Sequence, residues 1–440
     1  MPDPGGYPSR SYAWTVVAIL IATAVLSYTD RQVLSLLVDP IRAELHITDN
    51  EVSLLLGTAF AVVYGIAGIP LGWLADRTSR RNLIFAGVLV WSVGTLACGL
   101  SQSFGQLFAA RIVVGTGEAV LSPAAISLIS DYFPPTRRGT AVGAFLSGIA
   151  MGIGASILIG GGVLHWVQLG ALAATPLATL SSWRLVLLVI GAPGLLWALA
   201  ILAIREPVRR AEALGRPVGG PAAAGTSTLE AEHSGPVRWA RVIPIYLVVA
   251  LASLVDNAVG AWAPSLLTRG FHMDRAQVGI ELGTLLTAAF GGGVLLGGWL
   301  ADRAGVRGGW SRKLLVCLVA GALILPAAAA MDAGHVRLVL LSVPAYFALS
   351  GIVTACGFSA ILDVVPNRSR GLAMGISFLL NVAVGGSVGP WAVAFASDRV
   401  FGAEAGLGPA LAATVAAAYA VVALLAAVSM FQARGANHSI

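Results

Sequence analysis

Charge is what this sequence lacks most. Only 11% of its 440 residues are Asp, Glu, Lys or Arg, against about 25% in soluble domains, while 57% are hydrophobic and the mean hydropathy is +0.84. So thin a polar complement excludes a fold whose main solvent is water. Cysteine is nearly missing too: Cys98, Cys317 and Cys356 are too few and too scattered for a disulfide framework or a metal motif. No metal or cofactor is expected. The chain also lacks a P-loop, so ATP is not its energy source. His165, His272 and His335 fall near span ends or in loops, which leaves a catalytic triad without a deep base. GGSVG, Gly385 to Gly389, has the spelling of a nucleophile elbow, but that motif needs a strand, a sharp turn and a helix, and here it lies in an apolar helical run. The sequence does not read as an enzyme. No cleavable leader is expected either, because the first apolar run exceeds a signal-peptide core and lacks a convincing small-residue cleavage site before the next span.

What is present is apolar length. Runs of roughly 20 residues, enough to cross a hydrocarbon core of about 30 Å, recur at 14–37, 50–73, 82–100, 105–129, 138–164, 183–204, 241–267, 277–300, 313–331, 336–360, 371–396 and 407–430. The apolar stretch Leu169 to Leu180 reads as an exposed loop or a re-entrant piece. The formal charge of +6 points to a membrane topology rather than to nucleic acid. With twelve spans, 19 of the 27 Lys and Arg fall on the side of the termini. Six (Arg42, Arg184, Arg269, Arg275, Arg337 and Arg399) fall on the other, and Arg31 and Arg111 lie inside spans. Cytoplasmic loops carry the excess of arginine and lysine, so both termini are expected in the cytoplasm, in a bacterial inner (plasma) membrane.

The chain repeats itself. GWLADR occurs at Gly72 to Arg77 and again at Gly298 to Arg303, and the same shift of 226 positions carries Asp30 to Asp256. DYFPPTRRGTAVG (Asp131 to Gly143) is echoed by DVVPNRSRGLAMG (Asp363 to Gly375), a shift of 232. The reading is an all-α membrane protein of 12 transmembrane helices in two pseudo-symmetric six-helix bundles, residues 1–204 and 241–440. A cytoplasmic linker, 205–240, joins them and contains RPVGGPAAAGTS, Arg216 to Ser227. Parallel halves with a site at their interface near the midplane are a recurrent design of secondary transporters.

An ionisable group at membrane depth costs from about 2.5 to 3.5 kcal/mol upward, so each needs a reason. The first half holds Asp30, Arg31, Arg111 and Glu118. Neighbouring helix positions point about 100° apart, so Asp30 and Arg31 look outward to other helices. Arg111 and Glu118 share a face but sit roughly 10.5 Å apart along the axis, too far to satisfy each other. The spacing predicts Arg31 near Glu118, with Arg111 offered to Asp30 or to a cavity. The second half has Asp256 with Asn257, Asn381, and the aromatic Trp262 and Phe378. With Tyr28, Arg31, Arg111 and Glu118 these make the expected substrate-binding set, charged on one wall and apolar on the other, which suits an amphiphile. Two uses of the charges stay open. They can be an ion network that fixes packing, or, since burial favours a neutral carboxyl and a nearby arginine favours its anion, Asp30 or Glu118 can exchange a proton. At the loop after the second span, Gly72, Asp76, Arg77 and Arg81, with Arg137 and Arg138 and the repeated Asp302 and Arg303, are expected to form a conformational latch.

The pattern Gly72, Asp76, Arg77, Arg80, Arg81 resembles the signature loop of the major facilitator superfamily, with Ser79 where that family usually has glycine. SYTDRQVLSLLVDPI, ARIVVGTGEAVLSPAAISLISDYFPPTRRG and the second-half echo resemble its spinster-like branch, and the likeness covers nearly all of the chain except the linker and termini. The resemblance implies a proton-coupled secondary transporter working by rocker-switch alternating access, with acids matching Asp30 and Glu118 coupling transport to protons alongside Arg31 and Arg111. Arg111 resembles the fourth-helix arginine of the superfamily, and its planar fork suits carboxylate or phosphate. The implied substrate is an amphiphilic anion such as a lysophospholipid or a sphingosine-phosphate-like lipid; the alternative is a small organic anion or drug. Expected partners are that substrate, protons and membrane lipids, with no nucleic acid, around a monomer. Gly143, Gly148, Gly152, Gly154, Gly160, Gly161 and Gly162 in the fifth span read as close helix packing. The Gly-Pro pair of the family's exporters is absent there, so import and export both stay open.

Overall fold

Backbone N–H and C=O groups at membrane depth have no water to bond, so a spanning chain must satisfy them internally. Helices do so here: a computed structural model describes residues 7–75, 77–207, 239–365, 376–377, 380–402 and 406–437, and no strand occurs among them. In chain order the helices are α1 (Arg10–Gln32), α2 (Val38–Leu45), α3 (Asp49–Ser53), α4 (Ala59–Ala75), α5 (Arg80–Leu100), α6 (Phe104–Glu118), α7 (Leu121–Tyr132), α8 (Pro135–Gln168) and α9 (Ser182–Leu202). They continue with α10 (Trp239–Phe271), α11 (Arg275–Ala330), α12 (Val336–Val364), α13 (Ser387–Ala396) and α14 (Leu407–Asn437). The chain is an all-α membrane protein.

Among the described residues, 11 helical segments are long and apolar enough to cross a membrane, and each lies over one of the apolar runs read from the sequence. The run expected at 371–396 is the remaining one. Residues 366–375 and 378–379 lie outside the described set, and what is described there is a π-helical segment, Asn381–Gly386, followed by α13 and a second π segment, Ser397–Phe401. Most of the expected linker, 208–238, is also outside the described residues. Leu169 to Leu180 is an exposed loop with one 3₁₀ turn, Pro176–Thr179, and Leu169 stands 72% exposed.

Internal contacts divide the molecule into two units. Unit 1 lies within Met1–Pro221 and takes in Asp274–Thr287; unit 2 lies within Ala222–Met273 and Ala288–Ile440. In unit 1, α8 uses glycines on two faces. Gly148, Gly152 and Gly160 lie over Ile21, Val25 and Val33, from α1 and the turn after it. Gly161 instead meets Gly279 of α11 so closely that a Cβ on Gly279 would lie 2.5 Å from the Gly161 Cα. In unit 2, α10 packs against α12, α13, α14 and the segment Asn381–Gly386.

Interruptions place the charged residues. Pro123 has no N–H for the carbonyl four residues back and its ring crowds that carbonyl, so the span Phe104–Tyr132 breaks into α6, which ends at Glu118, and α7. α1 ends at Gln32 and tightens into a 3₁₀ turn, Val33–Leu36. Arg31 therefore sits in the last turn, where the helix dipole favours a cation. Gly309, at φ 64, separates the spans Arg275–Val306 and Gly309–Ala330 within the helical run α11. A left-handed residue ends a helix, and glycine adopts that conformation without strain.

Candidate functional site

Arg31 and Glu118 meet. Arg31 Nη2 donates to Glu118 Oε2 at 2.8 Å, joining the end of α1 to the end of α6; the Glu118 side chain is fully buried while that of Arg31 keeps 18% exposure. The guanidinium lies 4.0 Å from the Phe60 ring centre, 4.7 Å from Tyr28 and 5.4 Å from Tyr64, so aromatic faces supply a second attraction. Phe60 and Tyr64 are four apart on α4, which puts both rings on one side of it.

Arg111 is buried and tied to main chain rather than to a carboxylate. Its Nε donates to the Leu55 carbonyl at 3.3 Å and its Nη1 to the Asp30 carbonyl at 3.4 Å. Leu55 belongs to a π turn, Leu54–Thr58, a widened geometry frequent at functional sites. The sequence offered Arg111 to Asp30 or to a cavity; the structure takes it to the Asp30 backbone. Four buried atoms of this cluster have no hydrogen-bond partner: Asp30 Oδ1, Arg31 Nε, Arg111 Nη2 and Glu118 Oε1. Buried polar atoms are nearly always paired, and an orphan costs on the order of 1–3 kcal/mol. Four such atoms stand in this one cluster, each able to take a further donor or acceptor.

In unit 2, Asp256 has hydroxyl partners. Tyr346 Oη donates to Asp256 Oδ1 at 2.7 Å and Ser350 Oγ to the same oxygen at 2.6 Å, while Tyr419 Oη donates to Ser350 Oγ at 3.2 Å. Asn257 Nδ2 turns back to the Ser253 carbonyl of its own helix at 2.8 Å. Trp262 is fully buried and its indole N–H donates to the Pro390 carbonyl at 2.9 Å, a packing contact between α10 and α13. Asn381 opens the π segment and is half-buried. Phe378 lies outside the described residues.

The loop after the second span divides its arginines. Arg77 stacks on Trp73 at 4.0 Å and Arg303 on Trp299 at 3.9 Å, so each copy of GWLADR lays its arginine over its own tryptophan one turn back. Arg137 and Asp302 are exposed, and Arg138 is half-buried with its Nε unpartnered. Gly72 has room for a side chain, the nearest atom to an added Cβ being Pro123 Cβ at 4.0 Å, so it is not a point of forced close approach. Asp76 lies outside the described residues.

The buried ionic cluster here is built on Arg80, which the sequence placed in the signature-loop pattern but not in the expected latch. Arg80 Nη1 pairs with Asp131 of α7, and its Nε with Glu206 Oε1 at 2.8 Å. Glu206 also takes the Ser79 hydroxyl at 3.0 Å and the Arg80 and Arg81 N–H groups at 3.3 and 2.9 Å, which caps the start of α5. Arg81 Nη1 donates to the Ile204 carbonyl at 3.4 Å. Burial would raise the Glu206 carboxyl; the Arg81 N–H, the Arg80 fork and charge, and the Ser79 hydroxyl outweigh it and hold the carboxyl below the usual glutamate value. In unit 2, Lys313 Nζ reaches Asp363 Oδ2 at 2.6 Å. Asp131 and Asp363 open the two echoed loop motifs, so their shared position was the signal that could have exposed both pairs.

A polytopic helical membrane protein with charge paired at membrane depth is the class that this fold and site define. A family model described as Major Facilitator Superfamily matches residues 20–390, and the chain belongs to that family of transporters. Within it, its likeness is to the spinster type. A solved structure of a bacterial homologue of the human lysosomal transporter Spinster, in an inward-facing and occupied conformation, aligns with TM-score 0.77 and 25% identity over 97% of this chain and 98% of that one. Among relatives, an MFS-type efflux pump of Mycolicibacterium smegmatis is 29% identical over 94% of this chain and 91% of its own length. A D-galactonate transporter of Escherichia coli O6:H1 is 27% identical over 90% of this chain and 91% of its own.

Proposed function

We propose that this protein is a proton-coupled secondary transporter of an anionic amphiphile, of the lysophospholipid or sphingosine-phosphate kind, working by alternating access. The observation that carries the reading is the Arg31–Glu118 bond at membrane depth, with unsatisfied atoms on both partners and on Arg111 and Asp30 beside them. While Glu118 is an anion it occupies Arg31. A proton on Glu118 cancels the charge that holds the guanidinium, which is then free, still lying on Phe60 and Tyr28, to take a carboxylate or phosphate. Arg111, anchored through two carbonyls, keeps Nη2 for the same anion or for Asp30. Release of the proton restores the internal pair and expels the anion, so proton and substrate movements are linked. The protein works as a monomer in a bacterial inner membrane, with the arginine-rich loops and both termini in the cytoplasm and residues 1–204 and 241–440 as its two six-helix bundles.

A second reading takes the substrate to be a small organic acid, and the likeness to a D-galactonate transporter favours it. Vesicles reconstituted with the protein and offered a lysophospholipid, sphingosine phosphate, D-galactonate or a simple carboxylate, each with and without a pH gradient, separate the two. Glu118→Gln is expected to abolish gradient-driven accumulation while leaving a folded protein that still exchanges substrate across the membrane. Driven uptake at the wild-type rate in that variant would end the proposed role of Glu118.

A further inference from the structure

Asp256 is the second unit's counterpart of Asp30, 226 positions on, and its surroundings differ in one respect. The shift of 232 that relates Asp131 to Asp363 carries Glu118 to Ser350 and Arg111 to Val343. The contact between the first helix of a unit and its fourth is therefore kept, as Asp256 to Ser350 at 2.6 Å, but the arginine and the acid of that fourth helix are gone. Among the described residues Asp256 forms no ion pair.

Among the described residues no cation of the surrounding elements pairs with it, and the one on α14, Arg434, stands 15 positions from Tyr419. From α12 it faces Tyr346 and Ser350, and behind Ser350 stands Tyr419 of α14. The segment Asn381–Gly386 and α13 contain no titratable residue. The charged residues of α12 are Arg337 and Asp363, each 13 positions from Ser350, roughly 20 Å along the helix, and Asp363 is already taken by Lys313. On α10 itself the nearest cation in sequence is Arg269, 13 positions away and again roughly 20 Å distant. An isolated carboxylate in low dielectric is costly, and such a group neutralises instead. Both hydroxyl hydrogens go to Oδ1, which leaves Oδ2 to carry a proton while Tyr346 and Ser350 hold the carboxyl in place.

We propose that Asp256 is a second proton-binding site, in unit 2, which takes up and gives back a proton separately from the Arg31–Glu118 pair. This reassigns Asp256 from substrate contact to proton carriage, and its use in a transport cycle rests on the proton-coupled reading above. A carrier with two such sites moves more than one proton for each turn of the cycle.

Infrared difference spectra of the full chain in lipid, recorded between acidic and alkaline pH, test the site without any substrate. The expected result is a carboxyl C=O stretch that appears on acidification. It is lost in Asp256→Asn, kept in Glu118→Gln, and moved in frequency in Tyr346→Phe, which removes one donor to Oδ1. Asp256→Glu, which restores a carboxyl, is expected to restore a band and so separates loss of the proton from loss of the fold. A spectrum of Asp256→Asn identical to wild type would overturn the proposal, as would a band lost equally in Glu118→Gln. The two readings fail separately. Driven uptake that survives Glu118→Gln removes the role of Glu118 and leaves the Asp256 band standing, whereas no Asp256 band with uptake lost in Glu118→Gln does the reverse.

Discussion

Arg31 is held by an ion pair at 2.8 Å and by the faces of Phe60 and Tyr28, at 4.0 and 4.7 Å. The second attraction distinguishes arginine from lysine, because a flat, weakly hydrated guanidinium stacks on a ring and a compact ammonium does so less well. Arg31→Lys should fold, keep its charge and still bind an anion, with affinity lower by roughly two- to thirty-fold, the equivalent of about 0.5–2 kcal/mol of cation–π attraction. Equilibrium binding of whichever substrate the vesicle panel identifies, measured on the purified variant, checks this; unchanged affinity would mean that the rings only fill space. The meeting of Arg31 and Glu118 was legible because two charges in oil that cannot satisfy their own helix neighbours must cross to another helix. Of the rings, Tyr28 was in the expected binding set, but those on α4 were not legible. Phe60 and Tyr64 fall in an apolar run where an aromatic pair one turn apart reads as ordinary packing, and Tyr346 and Ser350 were hidden in the same way on α12.

At the scale of elements, Glu206 closes the start of α5 from more than a hundred residues downstream, accepting from Ser79, Arg80 and Arg81. Because its carboxyl is held below the ordinary value of 4.5, the stability it lends is complete above that pH and drains away as the pH falls through the folded value beneath it. Melting temperature against pH in detergent should therefore drop on acidification below that point in the wild type, and drop less in Glu206→Gln, which starts lower at neutral pH. A second element-level effect concerns α8 and α11. A methyl group added at Gly279 would lie 2.5 Å from Gly161 Cα, whereas at Gly162 nothing lies within 4 Å. Overpacking costs about 1–3 kcal/mol, so Gly279→Ala should melt several degrees below wild type and Gly162→Ala beside it. Helix positions were legible because hydrophobic length fixes them. The cap was not, since a carboxylate arriving from a distant segment leaves no local spacing to read, and a run of glycines does not say which of them face a neighbour.

For the molecule as a whole, the excess of arginine on one side sets the expected topology. Fusions of a reporter that is fluorescent only in the cytoplasm should light up at both the N- and the C-terminus, and a reporter active only outside should stay silent at both; a signal from opposite sides would require an odd number of crossings. The repeat was the most readable feature at this scale, because GWLADR at Gly72 and Gly298 is too specific for two unrelated loops. What the repeat could not tell is which shared residues do the same work in both copies. The acids of the pairs Arg80 with Asp131 and Lys313 with Asp363 occupy matching places, each held by a basic residue, while Arg111 and Glu118 find only Val343 and Ser350 opposite them. A turn-by-turn likeness of the two units therefore stops short of the bilayer's middle: each carries an acid with its base at the loop expected on the cytoplasmic side, while the deep arginine and glutamate belong to unit 1 alone.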